Sequence, residues 1–237
     1  MTWIVALLVV VVVTFFLYAV MPNALTRCFH LFAVRTGPRE RVVALTFDDG
    51  PDPQYTPRLL DVLQADGVRA TFFVIALKAM NHPELVRRMI AEGHDVQIHG
   101  YTHALVPTLS PRAAVQQVAL SAHELSERFG LTTTFYRPTW GLLSLATLLS
   151  RACRTHKLMM WSVMVGDWLD IPTLALQDRI MTRIHPGAII VLHDSDETWG
   201  AKRGAPERVI EVIPAVIERL RSNGYEFRTV AEWLGEG

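Results

Sequence analysis

After residue 40, apolar and polar positions repeat one unit: a short apolar run, a turn, then an amphipathic stretch closed by glycine. The apolar runs at 42–45, 70–75, 95–98, 134–136, 158–163, 187–192 and 225–228 predict strands. Thr56-Pro57, an N-cap followed by proline, predicts a helix through Leu59, Leu60, Val62 and Leu63 that stops at Gly67. Pro83 opens a second through Leu85, Val86, Met89 and Ile90, closed by Gly93, and Ser110-Pro111 opens a long third ending near Gly130. Further helices are predicted through Leu145, Leu148 and Leu149, over about 173–184 and 206–223, with a last turn at 230–234.

Seven strand-plus-helix units spaced about 25 to 35 residues apart predict parallel strands joined by crossover helices. The polar residues capable of chemistry follow the first, third, fourth, fifth and sixth strands. A closed or nearly closed (β/α) barrel brings those strand ends onto one face, whereas an open sheet spreads them along a line. No G-x-G-x-x-G or P-loop occurs, which argues against nucleotide binding.

Ahead of this domain, residues 3–20 are apolar and uncharged, about 27 Å long as a helix and close to a bilayer core in thickness. Trp3 and Tyr18 lie near its ends, where amphipathic rings prefer to sit. With no basic n-region and no A-x-A site, an uncleaved single-pass anchor is expected rather than a cleaved signal peptide. The expected division is an anchor over 1–21, a short basic linker over 22–40 and one catalytic domain over 41–237. Arg27, Arg35, Arg39 and Arg41 follow the span, and the positive-inside rule would place the domain in the cytoplasm. The function argued below places it outside the cell membrane. Of the 237 residues, half are apolar, and formal net charge is zero without a basic run, which argues against nucleic-acid binding. Cys28 and Cys153 have no metal-site or disulfide spacing and are expected to be inert thiols.

The candidate chemistry begins at Thr46-Phe47-Asp48-Asp49-Gly50-Pro51, where a buried strand runs into residues that cannot continue it. Neighbouring strand residues face opposite ways, so Asp48 and Asp49 can share one site only where the strand bends into a loop. A cation relieves their repulsion, leaving one carboxylate as ligand and the other as a base. His99 and His103 follow the third strand, and with Asp49 make a His-His-Asp set with positions left for water and substrate. Such a set also suits non-haem iron, but the uncommitted Asp48 suits removing a proton from water. His193, after the sixth strand, would supply the opposing acid. Arg137 is expected beside Asp48, where its fixed charge would orient that base and keep it ionised. Asp167 is expected to hydrogen-bond His193 and favour its protonated form. Trp168 and Leu192 flank these groups and could form a small apolar pocket, while Tyr101, Trp140 and Trp199 could stack on sugar rings. His30, His82, His94, His123, His156 and His185 fall in the linker, in helices or in turns on the opposite face.

The ordered motifs TFDDGP, H-x-x-x-H, R-P-x-W-G, D-W and L-H-D resemble the polysaccharide deacetylases of the NodB-homology type, carbohydrate esterase family 4, over about residues 41–234. The resemblance implies a distorted (β/α)7 barrel and a divalent metal, usually zinc, with cobalt or nickel as substitutes. It makes Asp48 the base, Asp49, His99 and His103 the metal ligands, and His193 the acid. Arg137 would orient the base, Asp167 tune the acid, and Trp168 and Leu192 hold the acetyl methyl. The backbone N–H of Trp140 would join the metal in stabilising the oxyanion. Three positions depart from the family's usual pattern: Gly100 where Ser or Thr is common, Thr139-Trp140 where Pro-Tyr is common, and Met164 where an Asp is often found. These bear on the substrate groove.

The expected activity is metal-dependent N-deacetylation of an amino sugar in a polysaccharide, peptidoglycan or a related cell-wall glycan. One alternative is an amidase acting on a non-carbohydrate or small acyl amide. Another is a membrane-tethered carbohydrate-binding module with little turnover.

Overall fold

The structure, a computed structural model, describes residues 2–235, and the Cys153 side chain lies outside the described residues. Nine strands form one sheet: β1 (Ala33–Val34), β2 (Val42–Asp48), β3 (Thr71–Ile75), β4 (Asp95–Gly100), β5 (Phe135–Tyr136), β6 (Lys157–Met159), β7 (Val163–Met164), β8 (Ala188–His193) and β9 (Glu226–Phe227). They follow the order β1-β6-β5-β4-β3-β2-β8-β7, with β9 against β2, and every ladder is parallel. Crossover helices cover the outside, giving the distorted (β/α)7 barrel.

Two layers of core follow from strand alternation. Ala44, Phe73, Phe135, Met159 and Ile189 fill the barrel interior, closed below by Val230 and Ala231. Val43, Leu45, Phe47, Phe72, Ile98, Ile190 and Leu192 face outward against the helices. Each such fully buried large side chain contributes roughly 1.5–3 kcal/mol. Ser110 caps the helix Pro111–Phe129 as expected, its hydroxyl accepting from the Ala113 N–H, and Gly130 ends it in the left-handed region at φ 68°. Thr56 differs from expectation: Tyr55 is the N-cap, and the Thr56 hydroxyl donates to Asp194 instead.

The expected fifth strand, 158–163, is two strands. The run bends at 160–162, so that β6 pairs with β5 and β1 while β7 pairs with β8. At the bend the Met159 and Met160 carbonyls accept from the Arg137 side chain rather than from a neighbouring strand.

Residues 22–40, expected as a linker, are built into the fold. β1 lies along β6, the Met160 N–H donates to the Val34 carbonyl at 2.8 Å, and Thr36 bridges to Ala188 of β8. This segment therefore occupies the gap that the bend opens between β6 and β8. Before it, Thr2–Arg27 forms one helix long and apolar enough to cross a membrane, with a π-helical turn at Phe16–Val20. Its last turns are docked on the domain. The Tyr18 hydroxyl donates to the Leu109 carbonyl at 2.7 Å, and Asn23 exchanges two hydrogen bonds with the backbone of Leu143 at 2.7 and 2.8 Å. Ala19, Pro22 and Thr26 are buried in this contact.

Candidate active site

Asp48 is the last residue of β2 and faces the barrel interior, opposite His193 in the β2–β8 register. Asp49 follows with φ 78°, in the left-handed region that side chains rarely adopt. That turn of the backbone brings two consecutive carboxylates to one site, as the breaking strand demanded. β4 runs two residues beyond its predicted end, so His99 is its last inward-facing residue, and His103 follows in the loop.

The His99 and His103 Nε2 atoms lie 3.1 and 3.0 Å from Asp49 Oδ1. The His99 Nδ1–H donates to the Arg137 carbonyl at 2.8 Å, which leaves its Nε2 as a lone pair aimed at the carboxylate. Asp49 Oδ1 is itself buried without a hydrogen-bond partner, while Oδ2 accepts from the Thr198 hydroxyl at 2.9 Å. Lone pairs converging on an orphaned buried oxygen are the arrangement a divalent cation completes, and the three donor atoms lie within 4.8 Å of one another.

Arg137 is fully buried. Its Nη1 donates to Asp48 Oδ1 and to the Thr46 hydroxyl, each at 2.7 Å, and its guanidinium lies 3.9 Å from the centre of the Phe73 ring. Burial lowers the Arg137 pKa, and Asp48 opposes that. Across the site, His193 Nδ1 meets the Asp167 oxygens at 3.1 and 3.2 Å, and the His193 backbone N–H donates to the same carboxylate at 2.8 Å. Burial opposes the charge on His193, yet Asp167, with Asp49 and Asp48 behind it, raises its pKa to about 10. A carboxylate base and a charged imidazole thus face each other across a candidate metal site, the layout of acid–base hydrolysis.

These groups open into a cavity of about 370 Å³. Trp140, Trp168 and Trp199 line it as expected; the Trp140 ring stands edge-on to His103 at 4.1 Å and Trp168 edge-on to His193 at 5.4 Å. Met164, one of the three departures, lines it too, half-exposed. Two expected residues lie elsewhere. Leu192 points outward into the helix-facing core, and Val191, one position earlier, lines the cavity in its place. Tyr101 is outside the lining; its backbone is held by Gln117, whose carbonyl also accepts from the Thr102 N–H. Trp161, Thr198 and Arg27 line the cavity unannounced by any motif. The histidines set aside lie outside the cavity; His94, for example, is buried and accepts from the Ala70 N–H. Cys28 is a free, exposed thiol.

Gly100 explains one departure. Its φ of 141° disfavours side chains, and an added Cβ would lie 3.2 Å from the Thr102 carbonyl and 3.3 Å from Gln117 Oε1. Thr139, another, is buried and donates to the Ala104 carbonyl at 2.6 Å, tying the two site loops together.

A polar layer supports the Asp49 turn from beneath. Thr56 donates to Asp194 at 2.5 Å, Ser195 donates to Asp52 at 2.9 Å, and Lys78 donates to Ser195 at 2.8 Å. Burial, with Asp52 and Asp49 nearby, raises the Asp194 pKa to about 7, against the opposing pull of Thr56 and Lys78.

The family model for polysaccharide deacetylase matches residues 35–155. The chain is 34% identical over 205 residues to a chitooligosaccharide deacetylase of Sinorhizobium fredii, covering 84% of this chain and 94% of that one. Among solved structures it resembles the Bc1960 peptidoglycan N-acetylglucosamine deacetylase, with TM-score 0.78 and 27% identity over 88% of this chain and 95% of that one. It also resembles the peptidoglycan deacetylase PdaC of Bacillus subtilis, with TM-score 0.71 and 31% identity over 84% and 92%. By sequence, by fold and by the arrangement of its strand ends, the chain belongs to the polysaccharide deacetylase family.

Proposed function

We propose that this chain removes N-acetyl groups from N-acetylated amino sugars of a glycan, peptidoglycan or a related cell-wall polymer. The chitooligosaccharide and peptidoglycan deacetylases among its relatives support that substrate class. The observation that carries the reading is the pairing of Asp48 with His193 across the β2–β8 ladder, above the Asp49–His99–His103 cluster. Those three residues would hold a divalent cation, zinc foremost, which when bound supplies Lewis acidity to the acetyl carbonyl.

Asp48, held by Arg137, takes a proton from the attacking water as its oxygen bonds to the carbonyl carbon. The Trp140 backbone N–H is the donor assigned to the resulting oxyanion. The carbon–nitrogen bond then breaks, and His193, kept protonated by Asp167, passes its proton to the amine nitrogen. Acetate and a free amino sugar result. Trp168 and Val191 bound the space assigned to the acetyl methyl, and Trp140 and Trp199 the walls assigned to the sugar.

The apolar helix is assigned as a single-pass anchor, with the catalytic domain on the extracytoplasmic side. The test is acetate release by the full chain from N-acetylglucosamine oligomers and peptidoglycan, with zinc or cobalt, beside Asp49→Ala. Release that vanishes in the variant supports the proposal. Release from small acetamides alone supports an amidase, and glycan binding without release supports a binding module.

A further inference from the structure

One wall of the catalytic cavity comes from the chain's own membrane-proximal segment. Arg27, the last residue of the helix Met21–Arg27, lines the cavity that holds Asp48, Asp49 and His193. Close to it stands Arg35, just after β1, with its Nη1 shielded from solvent and without a hydrogen-bond partner. Burial, together with the charge of Arg27, lowers the Arg35 pKa. Among the described residues neither guanidinium forms an ion pair. Two neighbouring like charges, one partly stripped of water, are relieved by an anion held against Arg27.

Position narrows what carries that anion. Tyr18 and Asn23 fix the helix end to the domain, which holds the Arg27 backbone at the mouth. It lies about 10 Å along the helix axis past Val20, the last exposed apolar residue of that helix. Phe29 and Phe32, both two-thirds exposed, follow it, and Trp199, 87% exposed, stands at the cavity mouth. Exposed aromatic rings beside arginines at the end of an apolar span suit the headgroup layer of a membrane.

We infer that Arg27, backed by the charge of Arg35, forms an anion subsite on the membrane side of the cavity. It takes the phosphate of a lipid-borne N-acetylated amino sugar, whose acetamide reaches Asp48 and His193. This rests on the deacetylase reading above and names the form in which that substrate arrives.

The full chain, zinc-loaded in detergent micelles, would be given three substrates: N-acetylglucosaminyl polyprenyl phosphate, a neutral alkyl N-acetylglucosaminide, and a soluble muramic-acid fragment bearing a carboxylate. The expected result is at least a tenfold preference in kcat/KM for the phosphate lipid over the neutral glycoside. That ratio falls toward one in Arg27→Ala and Arg35→Ala and is partly retained in Arg27→Lys. A ratio near one in the full chain, a ratio insensitive to both variants, or an Arg27-dependent preference for the carboxylate fragment overturns the inference. Direct binding of dodecyl phosphate to the same protein separates the two claims. If no substrate releases acetate, the deacetylase reading falls, while saturable dodecyl phosphate binding weakened tenfold or more in Arg27→Ala still supports the subsite. Absence of such binding overturns it.

Discussion

Arg137 meets Asp48 through a 2.7 Å hydrogen bond in which neither partner is exposed beyond a few per cent. Removing one partner of a buried pair leaves the other charge uncompensated, at a cost of about 3–5 kcal/mol. Arg137→Met should therefore lower the melting temperature by several degrees or more and reduce kcat at least a hundredfold. Thermal melting and acetate release are the measurements; a variant that melts normally and turns over normally would refute the pairing.

The orphaned oxygen of Asp49 ties stability to metal. At a hundred times its dissociation constant, a cation bound only by the folded state adds about 2.7 kcal/mol. Zinc should raise the melting temperature of the metal-stripped chain, and chelation should abolish acetate release reversibly. In His99→Ala both effects should disappear together with stoichiometric metal binding. A melting temperature indifferent to zinc in the unaltered chain would count against the ligand set.

His193 gives a pH dependence with a definite sign. Its folded pKa, about 10, lies above its ordinary 6.5, so the contribution of the Asp167 pair to stability is complete below about 6.5 and is lost as pH rises through about 10. As the proton donor, His193 should also set the alkaline limb of kcat/KM. A cation beside Asp49 offsets part of the upward shift, placing that limb lower in the loaded protein. Asp167→Asn should move it further toward 6.5. An alkaline limb unmoved by that change would assign the acid elsewhere.

Gly100→Ser restores the residue type common in the family, and here it should do harm. The backbone at φ 141° and the close approach of Thr102 and Gln117 predict a loss of about 1–3 kcal/mol. The candidate ligands His99 and His103 lie one residue before and three after this position, so metal affinity should fall as well. Unchanged stability would show that the loop relaxes around the new side chain.

The segment once expected to be a tether gives a truncation test. A chain starting at residue 38 lacks β1, the Val34–Met160 hydrogen bond and the Thr36 bridge. It should melt several degrees below one starting at residue 29, at roughly 2–4 °C per kcal/mol for a domain of this size. Equal melting temperatures would mean the barrel closes without that strand.

Much of this molecule was legible because chemistry and chain reversal coincide. Asp48-Asp49 before Gly50-Pro51, and His193 at the end of an apolar run, mark the ends of strands and hence one face of the barrel. Facing direction along β8 was not legible. Residues 188–192 are all buried, because both sides of a barrel strand are covered, and an unbroken apolar run carries no alternation to read. Leu192 was therefore placed at the cavity when Val191 is the residue there. The bend in 158–163 was hidden for a different reason: the side chain that ties it down, Arg137, lies more than twenty residues upstream. The role of residues 33–36 depends in turn on that bend. Arg27 and Thr198 reach the site through tertiary packing alone, with no motif around them.

Four other contacts of the Arg137 side chain give its pairing a longer reach. The same side chain that holds Asp48 also binds Thr46, ties down the Met159 and Met160 carbonyls at the bend, and lies against Phe73. A descendant that no longer met a substrate would still lose stability by changing this arginine, and with it Asp48. His193, with one edge in the cavity, would be freer to drift. The carboxylate proposed as the base is thus held in place by the same contacts that hold the barrel together at its bend.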